Sequence, residues 1–135
     1  RGLGDVYKRQ VHWNPLWATP YVVPADKELV ERIGRDDMVR GHTISAVGFY
    51  GPQGRELRLP LANPDLNSRI EKFRYNGEPV TNYEMESAPL QGLSLLLGHK
   101  AMTVCSIIAN RVSTNATPNY KTAIHDLIKT VLERI

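Results

Sequence analysis

The sequence predicts an α/β fold with a central mixed sheet flanked by helices. Patterns typical of strands and helices alternate along its 135 residues, as expected of one layered domain. Residues 101–110 form a continuous apolar run, which indicates a strand buried on both faces. Residues 121–135 carry apolar side chains at helical spacing, which indicates an amphipathic helix packed across the sheet.

Charge and cysteine content bear on three properties: nucleic-acid binding, disulfide formation and membrane contact. The net charge is +3, but residues 1–10 contribute +2, so the rest of the surface is nearly balanced and carries no basic stripe for nucleic acid. Cys105 is the only cysteine, which excludes an internal disulfide, and its apolar surroundings predict a buried, inert thiol. No run of 18 apolar residues and no signal-peptide core are present, so we expect a cytoplasmic protein without membrane contact.

The first ten residues, RGLGDVYKRQ, differ from the rest of the chain. They resemble a translated adapter sequence, and the apolar pattern begins only after them. We therefore interpret residues 1–10 as a non-native, adapter-derived segment and residues 11–135 as the domain that determines the fold.

The first half of the domain is predicted as a loop, a helix and a strand. Residues 11–23 hold two tryptophans and several prolines, typical of a loop with a short extended piece at 21–23. Pro24 at a first-turn position predicts a helix to about Ile33, ended by Gly34. The β-branched, alternating residues 42–49 predict a strand.

The second half alternates in the same way. Residues 50–61 are typical of a Gly/Pro loop. Asn63 or Asp65 begins a helix to about residue 74, with Leu66, Ile70 and Phe73 at helical spacing, and Asn76-Gly77 ends it. A strand at 79–83, a helix at 88–97 and a polar loop at 112–119 complete the pattern around the 101–110 strand. The terminal helix is expected to turn five apolar side chains inward: Ile124, Leu127, Ile128, Val131 and Leu132.

Residues 82–88 (NYEMESA) join a strand to a helix and carry two acids around a methionine. Ser87 is a good helix cap, which places the acids at or just before a helix N-terminus, where the macrodipole favours carboxylates. Ligands bind at such junctions in α/β folds. A carboxylate that accepts hydroxyl protons, with a methionine against a sugar face, suits ribose; the alternative is two solvated acids.

Residues 49–55 (FYGPQGR) follow the end of a predicted strand. Uracil presents an acceptor–donor–acceptor edge, which a glutamine amide and an arginine guanidinium can read while an aromatic ring stacks on the base. The alternative is a surface turn with exposed Gln53 and Arg55.

These motifs together resemble the uridine phosphorylase branch of the nucleoside phosphorylase family. The resemblance rests on residues 48–55, 82–88 and 107–111 and covers residues 11–135, roughly the C-terminal half of a family chain. It implies a partial nucleoside phosphorylase-like fold. Two departures are the reversed order Gly51-Pro52 and Ala109, which stands where a larger aliphatic residue is common.

The resemblance also implies roles for individual residues. Gln53 and Arg55 would read the uracil edge and act in catalysis, and Glu86 would accept from ribose hydroxyls. The remaining substrate-binding positions are Phe49 under the base, Met85 on the nucleoside, Ile108 over the base pocket and Arg111 behind a base carbonyl. Glu84 falls at an acidic position of the motif without an assigned role.

The implied reaction is reversible phosphorolysis of uridine to uracil and ribose 1-phosphate by a pentosyltransferase, with nucleoside and phosphate as partners. No metal ligands and no organic cofactor are implied; a monovalent cation and homo-oligomeric assembly are expected of the full-length protein. The glycine and arginine positions that hold phosphate in the family belong to its N-terminal half. The alternatives are a purine phosphorylase or nucleosidase relative and a non-catalytic nucleoside-binding module.

Overall fold

The computed structural model describes residues 2–110 and 116–135 and confirms the α/β class. Helices and two parallel strands alternate along the described part of the chain, with a 3₁₀ turn at Gly51–Gln53 after the first strand. The elements in order are α1 (Leu3–Gln10), α2 (Lys27–Ile33), β1 (His42–Ser45), α3 (Leu66–Lys72), β2 (Val80–Glu84), α4 (Ser87–Leu96) and α5 (Tyr120–Leu132).

Strands β1 and β2 pair in parallel, with Ile44 opposite Tyr83 and Ser45 opposite Glu84. The Ala46 N–H extends the ladder by donating to the Glu84 carbonyl at 2.8 Å. Beyond this point the chain bends, so β1 is shorter than the strand predicted at 42–49. Parallel pairing brings the carboxyl ends of both strands to one edge of the sheet.

The core lies between α3 and the sheet. Val11, Leu66 and Ile70 are buried together, and the side chains of Ile44 and Val80 pack against them. Spacing of four residues puts Leu66 and Ile70 on one face of α3, as the sequence predicted. The core is small, because it rests on one helix and two short strands.

Helix α1 falls in the segment that the sequence set apart from the fold. Its Tyr7 packs edge-on against Phe73, with ring centroids 5.7 Å apart, and tilts against Trp13 at 6.0 Å. Burial raises the pKa of Tyr7 to about 12. Residues 3–10 therefore contribute to packing in this structure, while their non-native origin stays a prediction.

The prediction of a central strand at 101–110 is wrong: no named strand is assigned to this segment, which forms only an isolated bridge between Ala109 and Ala116. Its Ala101 carbonyl accepts from the Asp26 N–H at 2.8 Å, and its Ile108 carbonyl accepts from the Thr117 N–H at 2.8 Å. Ile107 and Ile108 are 52% and 42% exposed. An apolar run favours burial, but a strand also needs a neighbour that supplies matching backbone groups.

Cys105, in the middle of this segment, is exposed rather than buried. Desolvation and the carboxylates of Glu84 and Glu86 nevertheless raise its pKa, against a side-chain hydrogen bond with Asn82 that lowers it. The thiolate is therefore disfavoured, as expected of an unreactive cysteine. These interactions also place the segment beside the end of β2.

Helix α5 is present as predicted, but none of its residues is buried. Ile128 and Leu132, which the pattern turned inward, are exposed. The chain is held just beyond the helix, where the Arg134 guanidinium donates to the Ile33 carbonyl at 2.9 Å and to Asp37 Oδ1 at 3.0 Å. Ile124, Leu127 and Val131 are half-buried, so the predicted inward face is confirmed for these three residues and wrong for Ile128 and Leu132.

Two helix boundaries differ from the predicted ones because of local hydrogen bonds. Asp26 accepts from the Leu29 N–H at 3.0 Å, so α2 begins at Lys27 and not at Pro24. Helix α3 already ends at Lys72, and Asn76-Gly77 instead forms a two-residue turn with φ of 52° and 85° between Tyr75 and Glu78. Within residues 2–110 and 116–135, no helix is long and apolar enough to cross a membrane.

Candidate functional site

Both sequence motifs leave the same edge of the sheet. The 49–55 loop (Phe49 to Arg55) follows β1, and the acidic motif (Glu84 to Ala88) follows β2 and runs into α4. Because Ser45 pairs with Glu84, the two segments start from neighbouring points. The carboxyl edge of parallel strands is where ligands bind in open α/β sheets.

The 49–55 loop is shaped by the 3₁₀ turn. The N–H groups of Gln53 and Gly54 donate at 2.9 Å to the carbonyls of Tyr50 and Gly51, respectively. Gly54 has φ of +69°, a conformation that side chains rarely adopt. The turn buries Gln53, which is only 3% exposed.

Arg55 folds back over the loop. Its Cζ lies 3.6 Å from the centroid of the Phe49 ring, a cation–π contact. The guanidinium donates to the Phe49 carbonyl and to Gln53 Oε1, the latter at 3.0 Å. Three of the predicted base-contacting residues thus form one cluster, with Tyr50 edge-on to Phe49 at 5.2 Å.

The loop is fastened to the rest of the fold by Asn67 of α3. Asn67 Nδ2 donates to the Gln53 carbonyl at 3.2 Å, and its Oδ1 accepts from the Tyr83 hydroxyl at 2.9 Å. A Cβ at Gly54 would lie 2.2 Å from Asn67 Nδ2. Sequence reasoning missed Asn67, because a polar residue on a helix gives no signal of a contact 14 residues away.

Glu84 has a structural role that the sequence left unassigned. One carboxylate oxygen accepts from the hydroxyls of Ser45 and Ser87, and the other accepts from the N–H groups of Glu86 and Ser87 at 2.6 Å. Burial by itself would raise the Glu84 pKa, but these hydrogen bonds outweigh it and lower the pKa below its usual range. The carboxylate therefore binds the first N–H groups of α4 and joins them to β1.

The placement of Ser87 and Glu86 corrects the predicted cap. Ser87 is the first residue of α4 and is buried against Ser45, with their hydroxyl oxygens 3.0 Å apart; Glu86 occupies the cap position without a side-chain cap bond. The acids lie at the helix start, as predicted. Glu86 is exposed, and its carboxylate accepts from the Met85 N–H at 3.1 Å.

The structure brings some of the predicted site residues to one surface. Arg55 and Met85 line the same broad cleft, and Met85 is 39% exposed to it. Ile107 also lines the cleft, whereas its predicted neighbour Ile108 does not. Phe49, Gln53 and Glu86 likewise lie outside the cleft lining, and Arg111 falls outside the described residues. No group of three or more metal-ligating side chains occurs in the described part of the chain.

Comparison with known proteins agrees with the resemblance read from the motifs. No protein-family model matches the chain. Over 79 residues the chain is 38% identical to the uridine phosphorylase of Thermococcus kodakarensis, a match that covers 54% of this chain and 26% of that protein.

The fold agrees as well. The crystal structure of a Trypanosoma brucei nucleoside phosphorylase, described as showing uridine phosphorylase activity, superposes with a TM-score of 0.83 at 26% identity. The superposition covers 96% of this chain and 47% of that one, so the chain spans about half the length of the solved relative. In sequence and in fold, the chain resembles part of a nucleoside phosphorylase and has a uridine phosphorylase among its relatives.

Proposed function

We propose that the chain is the nucleoside-contacting part of a uridine phosphorylase-like enzyme. In its full-length form this pentosyltransferase would catalyse reversible phosphorolysis of uridine to uracil and ribose 1-phosphate. The observation that carries the proposal is the convergence of the 49–55 loop and the acidic motif on the carboxyl edge of two paired parallel strands.

The 49–55 loop supplies the chemistry for a pyrimidine base. Gln53 can accept from a ring N–H and donate to a carbonyl, and Arg55 can donate to a second carbonyl. In the structure the Arg55 guanidinium already donates to Gln53 Oε1 and lies over the Phe49 ring. A planar base with alternating acceptors and a donor matches this cluster better than a ligand without a flat, polar edge.

The acidic motif supplies the chemistry for ribose. Glu84 is engaged in holding α4 to β1, which leaves the exposed Glu86 as the carboxylate available for hydroxyl groups. Met85, beside it, offers a polarisable apolar surface for the sugar. The two neighbouring acids therefore have different roles: Glu84 binds backbone N–H groups, and Glu86 faces the solvent.

The proposed mechanism places these groups around a bond that breaks. As phosphate attacks C1′, the C1′–N1 bond loosens and the electron pair moves onto uracil. Arg55 and Gln53 would stabilise the negative charge as it develops on the base oxygens, where preorganised donors lower a barrier most. Glu86 would hold the ribose in line for attack. Phosphate would be positioned by residues outside those described.

The test is kinetic and uses the full-length protein that carries this chain. Arg55→Ala should lower kcat/KM for uridine about 10²- to 10³-fold, the effect of losing one donor to a developing charge. Glu86→Ala should weaken binding of ribose-containing ligands and leave free uracil largely unaffected. Lys72→Ala, on the exposed side of α3, is the control and should have no effect.

Wild-type turnover by Arg55→Ala would remove Arg55 from the reaction. A preference for inosine over uridine would favour a purine-specific relative, and uridine binding without phosphorolysis would favour a binding module.

A further inference from the structure

The Asn67 side chain is a junction of three elements. Its amide donor holds the backbone of the 49–55 loop, and its amide acceptor holds the Tyr83 hydroxyl on β2. Both halves of the amide are thus matched to a group of the opposite kind. Asn67 itself follows Leu66, which is buried in the core, so the amide projects from a fixed point of α3.

The Gln53 carbonyl that Asn67 binds belongs to the peptide between Gln53 and Gly54. Rotation of this peptide would change the direction in which both Gln53 and Arg55 leave the turn, because Gly54 sits at φ of +69° between them. A Cβ at Gly54 would lie 2.2 Å from Asn67 Nδ2, so the Asn67 amide stands directly against the Gly54 side of the turn. The Asn67 hydrogen bond therefore acts together with the backbone bonds of the turn to orient Gln53 and Arg55.

We propose that Asn67 is a positioning residue that orients Gln53 and Arg55 for the uracil edge and keeps them in register with the ribose motif at the end of β2. This inference rests on the proposed function. Positioning residues of this kind matter because a small displacement of a side chain that contacts the base removes much of its contribution to binding and catalysis.

The Asn67→Asp variant removes the hydrogen-bond donor of the side chain and keeps its acceptor. The aspartate has nearly the same shape and still accepts from the Tyr83 hydroxyl, but as a carboxylate it cannot donate to the Gln53 carbonyl. Tyr83→Phe is the complementary variant, which removes the link to β2 and leaves the bond to the loop. Ser68→Ala is the matched control, since it deletes only a local bond to the Asp65 carbonyl on the same helix.

The experiment measures binding of uracil and of D-ribose to the full-length protein that carries this chain by isothermal titration calorimetry, with hydrogen exchange of the Gly54 and Arg55 amides. In Asn67→Asp we expect uracil binding to weaken about tenfold, the effect of one lost hydrogen bond with an acceptor left facing a carboxylate. Ribose binding should stay unchanged, and exchange of both amides should accelerate. Tyr83→Phe should weaken uracil binding less, and Ser68→Ala should leave both ligands unaffected.

Unchanged uracil affinity in Asn67→Asp would overturn the inference. Equal weakening of uracil and ribose would also overturn it, because that pattern indicates general loosening. If the wild-type protein binds no uracil, the base site of the proposed function fails instead. The exchange rates then decide the role of Asn67: acceleration in Asn67→Asp supports the anchoring of the loop, and unchanged rates refute it.

Discussion

Replacement of Glu84 by glutamine tests the internal role of this carboxylate. The variant keeps the size of the side chain and removes its charge. One amide oxygen can still accept from the Glu86 and Ser87 N–H groups, but the amide NH₂ then faces the Ser45 and Ser87 hydroxyls, which at present donate to the carboxylate. Ser45 Oγ already accepts from the Ala88 N–H at 2.8 Å and lies 3.0 Å from Ser87 Oγ, so accepting from the amide as well would use its second lone pair and require its hydroxyl to turn.

The expected loss of stability follows from these bonds. Hydrogen bonds to a charged group contribute about 1.5–3 kcal/mol and neutral ones about 0.5–1.5 kcal/mol, so two backbone bonds that lose their charge cost about 2 kcal/mol. Partial exposure of Glu84 reduces this to about 1–2 kcal/mol. Glu84→Ala removes every bond and should cost about 2–4 kcal/mol.

The assay is denaturant unfolding followed by circular dichroism at low protein concentration, with Glu86→Gln as the control. Glu86 is exposed and should change stability by less than about 0.5 kcal/mol. Because the folded-state pKa of Glu84 is lowered, its contribution is present above the unfolded value of 4.5 and is lost as the pH falls through the folded pKa. The difference between wild type and Glu84→Gln should therefore be constant near neutrality and shrink in acid. Equal stabilities at pH 7 would show that the carboxylate does not hold α4 to β1.

Three further outcomes are expected. Gly54→Ala should destabilise the chain by about 1–3 kcal/mol, measured by the same unfolding assay, because of its positive φ and the contact with Asn67; a neutral effect would contradict the described turn. Tyr7 should titrate near pH 12 by ultraviolet absorbance, and its stabilising contribution should persist below pH 10 and fall as the pH rises through 12; ordinary titration near 10 would place Tyr7 outside the packed cluster. Residues 11–135 alone should associate in light scattering, because α4 exposes apolar residues such as Leu96 (84%), and should not release uracil from uridine and phosphate; phosphate-dependent turnover by a soluble monomer would refute the partial-enzyme interpretation.

The elements that the sequence predicted well are those defined by local patterns. The spacing of Leu66 and Ile70 located α3, and the alternation around Ile44 located β1. The prediction at 101–110 failed because strand formation depends on a partner elsewhere in the chain, which composition does not reveal. The inward face assigned to α5 was right only in part for the same reason: periodicity identifies a helix and its apolar face, but not how much of that face another element covers.

The candidate site was predictable to a similar degree. Strand-to-loop junctions with polar side chains pointed to Gln53, Arg55 and the acids after β2, and the structure puts these segments at one edge. The role of Asn67 and the link from Glu84 to β1 were not predicted, because the partners Gln53, Tyr83 and Ser45 are distant in sequence. Ser45 and Glu84 are 39 residues apart, and only the parallel register brings them together.

The contact of Arg55 with Phe49 and Gln53 has a consequence for any ligand that binds there. A flat molecule that stacks on the ring face now covered by the guanidinium has to displace it, and this displacement disturbs the Arg55 bond to Gln53 Oε1. Binding would then be an exchange of contacts rather than a simple gain. A ligand with a flat shape but no carbonyl for Arg55 would displace the guanidinium from the Phe49 ring without replacing that contact. Such an exchange disfavours ligands that match the site in shape alone.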